Sequence, residues 1–390
     1  MSGDDGTIRP GRGSVAVTTA RFAAARLRAR WRGGERPASA DDFRATIDGA
    51  LDGLGPLVED RWWRTVAPTP EGWSDSGIVL AAGDAVTLVA HGRLVLSRAL
   101  DVAFGPTVGL WYRVGDGPPA KVVGDDATFR AESDGPLRLA TKPPGEFLDR
   151  AGAFDPAEPR TGISGGFTVA VVRWRDGDAE AGLTAAAAAD ERWLAPALRR
   201  HREPVVPPDG WHYLWRLGPG EIYRADGHEL CCHSAGDVGI LQFPVDAPLT
   251  ATTGLRWEWL VEQLPSRLPE HAQPTHDYLS IAVEFDNGLD LTYMWSAALP
   301  VGTVFRCPLP WWCQRETHWV VRSGSADLGR WVSDRRPLLD DYRRAIGGEP
   351  PARIVAVWLI ANTVFSRRVG ACRYRSIALE DGDQRTPIGG

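Results

Sequence analysis

Leu255-Arg256-Trp257-Glu258-Trp259-Leu260-Val261-Glu262 decides the fold of the later half of the chain. Arg256, Glu258 and Glu262 fall on one side of an extended chain, and Trp257, Trp259 and Val261 on the other. That period of two belongs to a strand with two different faces, because successive side chains leave a pleated strand on opposite sides. Ten of the 17 tryptophans lie between Trp211 and Trp358. A tryptophan fills a core or stacks on a flat ligand. The doublets Trp257/Trp259 and Trp311-Trp312 suggest more ring surface than one core uses.

Further short segments carry the same period: 230–234, 239–243, 278–286, 291–295, 318–323, 354–360 and 374–379. One helical stretch interrupts them at 337–346. Residues 211–390 therefore read as an antiparallel sandwich with one inserted helix. Upstream, seven short strands between 78 and 174 are separated by Gly83-Asp84, Gly115-Asp116-Gly117, Asp134-Gly135 and Pro143-Pro144-Gly145. Such spacing means a second sandwich or barrel, placed at 61–178.

Residues 179–210 combine a helical stretch with the proline-stiffened 202–210 and read as a linker. Residues 1–60 read as a disordered tail followed by helices. Ser39 with Asp42 three residues on is a capping box, and Phe43, Ile47, Leu51 and Leu54 follow at helical spacing. The fold class expected is mainly β: two antiparallel β-sandwiches of jelly-roll type, N-terminal helices, and a helical and proline-rich linker.

The formal net charge of −6 argues against nucleic acid as a whole-molecule partner, which needs a basic field. The run Arg21–Arg32 is locally basic. It reads as a solvated helix, or as a weak contact for a membrane surface or an acidic partner. No window approaches the length of apolar sequence that spans a bilayer, and no secretory signal is legible. Cytoplasm is the expected location. Cys231, Cys232, Cys307, Cys313 and Cys372 are odd in number and include an adjacent pair, a poor disulfide framework. Cys307 and Cys313 can meet across a turn, but free thiols are the simpler reading. None has zinc-ligand spacing, His276 stands beside Asp277 as a loop residue, and neither metal nor organic cofactor is expected.

Sorting the strands by face gives a candidate site. If the polar faces share one sheet, Glu258, Glu284, Tyr293, Trp295, His318 and Arg322 form a strip of acids, a base, an anion clamp and stacking rings. Arg256, Tyr278 and the stiff loop with Trp311 and Trp312 would add ligand walls. Such a strip suits a sugar or a flat polar ligand. The competing reading is a solvent-facing sheet laced by cross-strand ion pairs. Glu258, Glu284 and His318 are also the groups for acid–base work on a glycosidic bond, which demands a defined carboxylate separation.

Two resemblances bear on these expectations. Trp73, Ser76-Gly77-Ile78-Val79-Leu80, Ala82-Gly83-Asp84-Ala85-Val86-Thr87-Leu88, Trp111-Tyr112-Arg113-Val114-Gly115 and Ser164-Gly165-Gly166-Phe167-Thr168-Val169 resemble the soluble galactophilic lectins, calcium-dependent jelly rolls. The resemblance spans residues 73–174 and implies that fold. It departs where the family's calcium loop carries an acid, since Lys142 stands there, and an insertion follows it. A hard cation needs oxygen ligands, so the resemblance implies the fold without its calcium site, unless Glu146, Asp149 and Asp155 rebuild one.

Residues 210–379 resemble a bacterial domain family of unknown function with a sandwich similar to carbohydrate-binding modules. The marks are Arg256-Trp257-Glu258-Trp259, His276-Asp277-Tyr278, Tyr293-Met294-Trp295, Leu299-Pro300-Val301-Gly302-Thr303, Val320-Val321-Arg322-Ser323-Gly324 and Leu339-Asp340-Asp341-Tyr342-Arg343-Arg344. The function expected is non-covalent binding of a glycan, glycoside or flat polycyclic compound by the later sandwich. The first would be a lectin-like partner with a degenerate site. The alternative is a cofactor-free cyclase or hydrolase acting on a glycoside or polyketide-like intermediate.

Overall fold

The computed structural model describes residues 7–31, 38–98, 102–142, 147–149, 151–156, 162–218, 220–310 and 312–389. It forms two compact units, one of Met1–Leu27, Val206–Arg216 and Gly220–Gly390, the other of Arg28–Val205 and Leu217–Pro219. Helix α1 (Arg12–Trp31) runs through the chain boundary between them. Among the described residues no helix is long and apolar enough to cross a membrane.

The Arg28–Val205 unit holds α2 (Ala40–Leu51), β1 (Val58–Val66), β2 (Trp73–Leu80), β3 (Ala85–Ser97), β4 (Val102–Phe104), α3 (Pro106–Gly109), β5 (Leu110–Val114), β6 (Ala120–Lys121), β7 (Asp126–Arg130), β8 (Gly135–Thr141), β9 (Ser164–Trp174), α4 (Ala179–Ala187) and α5 (Leu194–Arg202). One sheet runs β1-β9-β3-β4 with β7 also on β3, and the other runs β2-β8-β5-β6. Alternation in β3 and β9 points Val86, Leu88, Val169 and Val171 at one core and Ala85, Val89, Ala170 and Val172 at another. Helix α2 starts with the expected capping box of Ser39 and Asp42.

The helices at 179–202, read from sequence as part of a linker, belong to the second of these cores. Leu183, Trp193, Leu194 and Leu198 pack there with Phe43 and Ile47. Their apolar side needs a partner, and the outer face of β3 and β9 supplies it. Gly182 lets Trp174 lie against α4, since a Cβ there would stand 2.1 Å from the indole. Gly182→Ala gains about 1 kcal/mol of helix propensity but forces a clash costing about 1–3 kcal/mol. A lowered thermal midpoint is expected; an unchanged or raised one would contradict this packing.

The C-terminal unit holds β10 (His212–Leu217), β11 (Tyr223–Asp226), β12 (Glu229–Ala235), β13 (Val238–Pro248), β14 (Thr253–Gln263), β15 (Tyr278–Phe285), β16 (Asp290–Ser296), β17 (Val304–Arg306), β18 (Glu316–Ser323), β19 (Val332–Pro337), α6 (Leu338–Ala345), β20 (Arg353–Asn362), β21 (Val369–Asp381) and β22 (Gln384–Pro387). A seven-stranded sheet runs β10-β13-β20-β15-β16-β18-β17. A six-stranded sheet runs β11-β12-β21-β14-β19, with β22 also on β21. Strands β16 and β18 pair in parallel, the chain leaving and returning through β17, which is antiparallel to β18. Leu255, Trp257, Trp259 and Val261 of one sheet meet Leu279, Ile281, Val283, Tyr293, Trp295 and Leu359 of the other in a single core. All five cysteines are free thiols.

Candidate functional site

The structure divides the expected strip among three places. Tyr293 and Trp295 lie between the sheets and are buried. Tyr293 stacks on Trp257 with centroids 5.7 Å apart, and Trp295 packs on Trp259 at 5.4 Å. These rings are core, a correction to their assignment as ligand-stacking residues. The opposite face of β16 carries Asp290, Thr292, Met294 and Ser296, one residue out of phase, and these are buried as well.

Arg322 is also corrected. The register slips between Met294/Trp295 and Val320/Arg322, and one extra residue moves Arg322 off the face of His318. Its guanidinium grips Asp334, with both nitrogens at 3.0 Å. Asp334 also accepts from the Trp259 indole at 2.9 Å.

Glu258 and Glu284 do not form a pair. Glu258 leaves the outer side of the six-stranded sheet and Glu284 the outer side of the seven-stranded one. Stacked sheets stand about 10 Å apart, so carboxylates on opposite outer sides exceed the separations that glycoside hydrolysis uses. Glu284 accepts from Gln242 at 2.8 Å and Arg315 at 2.9 Å. Trp312 is buried, and Arg315 lies over both its ring and that of Trp358 at 5.1 Å. Trp311 and Glu146 lie outside the described residues. Lys142 is buried with its ammonium 5.6 Å over Phe147.

Tyr278 and His318 share the outer side of the seven-stranded sheet, but loops cover it. The segment around the 3-10 turn Gln273–Thr275 brings His276, and the chain after β17 brings Cys307. His276, Cys307, Glu316 and His318 are all buried, and one ligating atom from each lies within 4.8 Å of every other. Tyr278 donates to Glu316 at 2.9 Å. The His276 Nδ1 donates to the Glu270 carbonyl at 2.7 Å, leaving Nε2 facing the Cys307 thiol at 3.4 Å.

Burial, then the neighbouring His318, pushes His276 down to about 3. Burial, then Glu316, pushes the Cys307 thiol up. Burial works against the Glu316 carboxylate too, yet His318 and His276 hold it below its usual range. Sequence reading missed this cluster because its members are separated by 31, 9 and 2 positions, which match no metal motif.

The outer side of the six-stranded sheet is open. Glu258 pairs with Arg375 at 2.6 Å, and Arg373 with Glu229 at 3.0 Å and Glu262 at 3.5 Å. Arg256 lies on this side, and the Arg375 guanidinium lies 4.0 Å over the Trp331 ring. Between Arg256 and Glu258 the register on β21 slips from Ala378 to Arg375. Ser376 takes up the extra residue at φ 53, a left-handed backbone that is strained for any residue but glycine. Such bulges re-aim side chains and recur beside functional sites. A cavity of about 260 Å³ opens next to this bulge, lined by His228, Arg375, Ser376, Arg385 and Ile388 among others. His228, Ser376 and Arg385 were not singled out from the sequence. The Arg373-x-Arg375 alternation was a legible sign; the bulge was not.

No curated protein matches the chain. Among solved structures, it is similar to a PllA-like lectin, the EclA N-terminal domain, at 20% identity over 30% of this chain and 97% of that one, with a TM-score of 0.23. It is also similar to the xyloglucanase domain of NopAA, a type three effector from Sinorhizobium fredii, at 10% identity over 45% and 96%, with a TM-score of 0.30. A xylanase compares at 9% identity over 48% and 87%, with a TM-score of 0.28. Residues 220–378 match the model of a family described as a protein of unknown function, DUF3047.

Proposed function

We propose that the chain binds a saccharide or glycoside without chemistry, at the cavity beside the β21 bulge, and that an acidic sugar is the preferred class. The observation that carries this reading is the convergence of Arg375, Arg385, His228 and Ser376 on one cavity, with Arg375 also held over Trp331. Several convergent donors suit a hydroxyl-rich ligand that carries a carboxylate. The volume of about 260 Å³ falls below the roughly 300–1,000 Å³ of drug-sized sites. It accommodates a sugar ring better than a polycyclic compound. The saccharide class also draws on the lectin-like motifs of residues 73–174. In this reading that unit is a partner with a degenerate site, as the buried Lys142 supports.

The hydrolase or cyclase alternative has less support. Its two carboxylates lie on opposite outer sides, and Glu258 is engaged by Arg375. Calorimetric titration of the full chain with neutral and uronic-acid mono- and oligosaccharides tests the reading. A hydrogen bond to a charged group contributes about 1.5–3 kcal/mol, so Arg385→Ala should weaken the uronic-acid complex about tenfold to a hundredfold. No heat from any saccharide, or identical affinity for Arg385→Ala, would contradict it.

A further inference from the structure

We infer that His276, Cys307, Glu316 and His318 form a structural zinc site in the C-terminal unit. The donor set comes first. Two imidazoles, a thiolate and a carboxylate suit zinc and other late first-row ions, not calcium or magnesium. Bonds of about 2.0–2.3 Å to zinc put tetrahedral ligands about 3.3–3.8 Å apart. The four donor atoms already lie within 4.8 Å of one another, so small side-chain adjustments close the shell.

The second observation is independent of that spacing. His318 is buried at 0% exposure, and neither ring nitrogen has a hydrogen-bond partner. Its Nε2 stands 3.4 Å from a Glu316 oxygen without hydrogen-bond geometry. A buried imidazole with two unsatisfied nitrogens is costly, and a metal ion relieves that cost by direct ligation. The ring is held in place by Phe305, stacked at 4.9 Å and 15°, and by the edges of His276 and Tyr278 at 4.8 and 4.9 Å.

The outer partners fit ligation as well. The His276 Nδ1–H is spent on the Glu270 carbonyl, which leaves Nε2 as the donor atom toward Cys307. Such a backbone hydrogen bond fixes tautomer and ring orientation in metal-ligating histidines. Tyr278 donates to Glu316 at 2.9 Å and orients its carboxylate. Charge closes too. Binding releases the Cys307 thiol proton to solvent, and one divalent cation then meets one thiolate, one carboxylate and two neutral imidazoles. The assembly is neutral, which burial requires.

All four ligands are 5% exposed or less, so no position is open to substrate or water, and the site is structural in kind. It would fasten the segment before β15 and the chain after the short edge strand β17 onto β18.

Metal analysis of the full chain purified with zinc should give one zinc per chain. Replacement by cobalt(II) should give tetrahedral d–d bands and a thiolate-to-cobalt charge-transfer band. In Cys307→Ser the charge-transfer band should disappear. A strong chelator should lower the wild-type melting temperature by on the order of 10 °C, with zinc restoring it. The wild-type cobalt spectrum keeps the test decisive if the serine variant does not fold. Absence of a retained ion together with a chelator-insensitive melting temperature would overturn the inference. So would a charge-transfer band that survives in folded Cys307→Ser, because the ion would then lie elsewhere.

Discussion

Asp341→Ala is expected to cost the C-terminal unit about 3–5 kcal/mol, the range for removing one partner of a buried ion pair. Asp341 is 1% exposed. It accepts a two-pronged grip from Arg336 at 2.7 and 2.8 Å and a hydrogen bond from Tyr293 at 2.8 Å. Arg336 in turn lies 4.6 Å over Trp319 and 5.5 Å over Tyr293. Removing the carboxylate leaves that guanidinium and a buried phenol without their acceptor. The comparison is Asp340→Ala one residue away, whose exposed carboxylate reaches Arg343 at 3.7 Å. Exposed pairs contribute about 0–1 kcal/mol. Urea unfolding should show a large midpoint shift for Asp341→Ala at constant slope and almost none for Asp340→Ala. Equal shifts would contradict the role given to Asp341.

Trp257→Ala should cost about 3–5 kcal/mol, as removal of large buried aromatics does. Trp257 is fully buried between Trp259 and Tyr293. Phenylalanine separates packing from hydrogen bonding at these two neighbours. The Trp257 indole N–H is buried without a partner, so Trp257→Phe removes an unsatisfied donor and offsets part of its volume loss. The Trp259 indole donates to Asp334 at 2.9 Å, so Trp259→Phe also leaves a carboxylate short of a donor. Trp259→Phe should therefore be the more destabilising of the two by about 1 kcal/mol. Unfolding by heat or urea decides this, and the reverse order would contradict the inter-sheet geometry.

Much of the fold was legible because period two is a local property. The faces read for 256–262 stand, as do the strands at 230–234, 278–286 and 354–360, within a residue or two of their ends, while the strand read at 239–243 runs on to Pro248. The inserted helix read at 337–346 is Leu338–Ala345. Three-residue Val304–Arg306 and four-residue Tyr223–Asp226 and Gln384–Pro387 carry too little pattern to be read.

The site was less legible for three physical reasons. Alternation fixes which residues share a face but not which face meets the other sheet, so Tyr293 and Trp295 went to the wrong side. A single inserted residue in β18 and another in β21 reverse the phase, which moved Arg322 inward and exposed Ser376. The buried cluster depends on contacts between loops far apart in sequence, and no spacing rule foresees them.

Titrating one uronic-acid saccharide into Arg375→Ala and Glu284→Gln chains separates the open cavity from the strip read along the sequence. Arg375→Ala should weaken binding at least tenfold, and Glu284→Gln should bind as the native chain does. Loss of affinity in Glu284→Gln with Arg375→Ala unaffected would place recognition on the seven-stranded sheet instead and contradict the account.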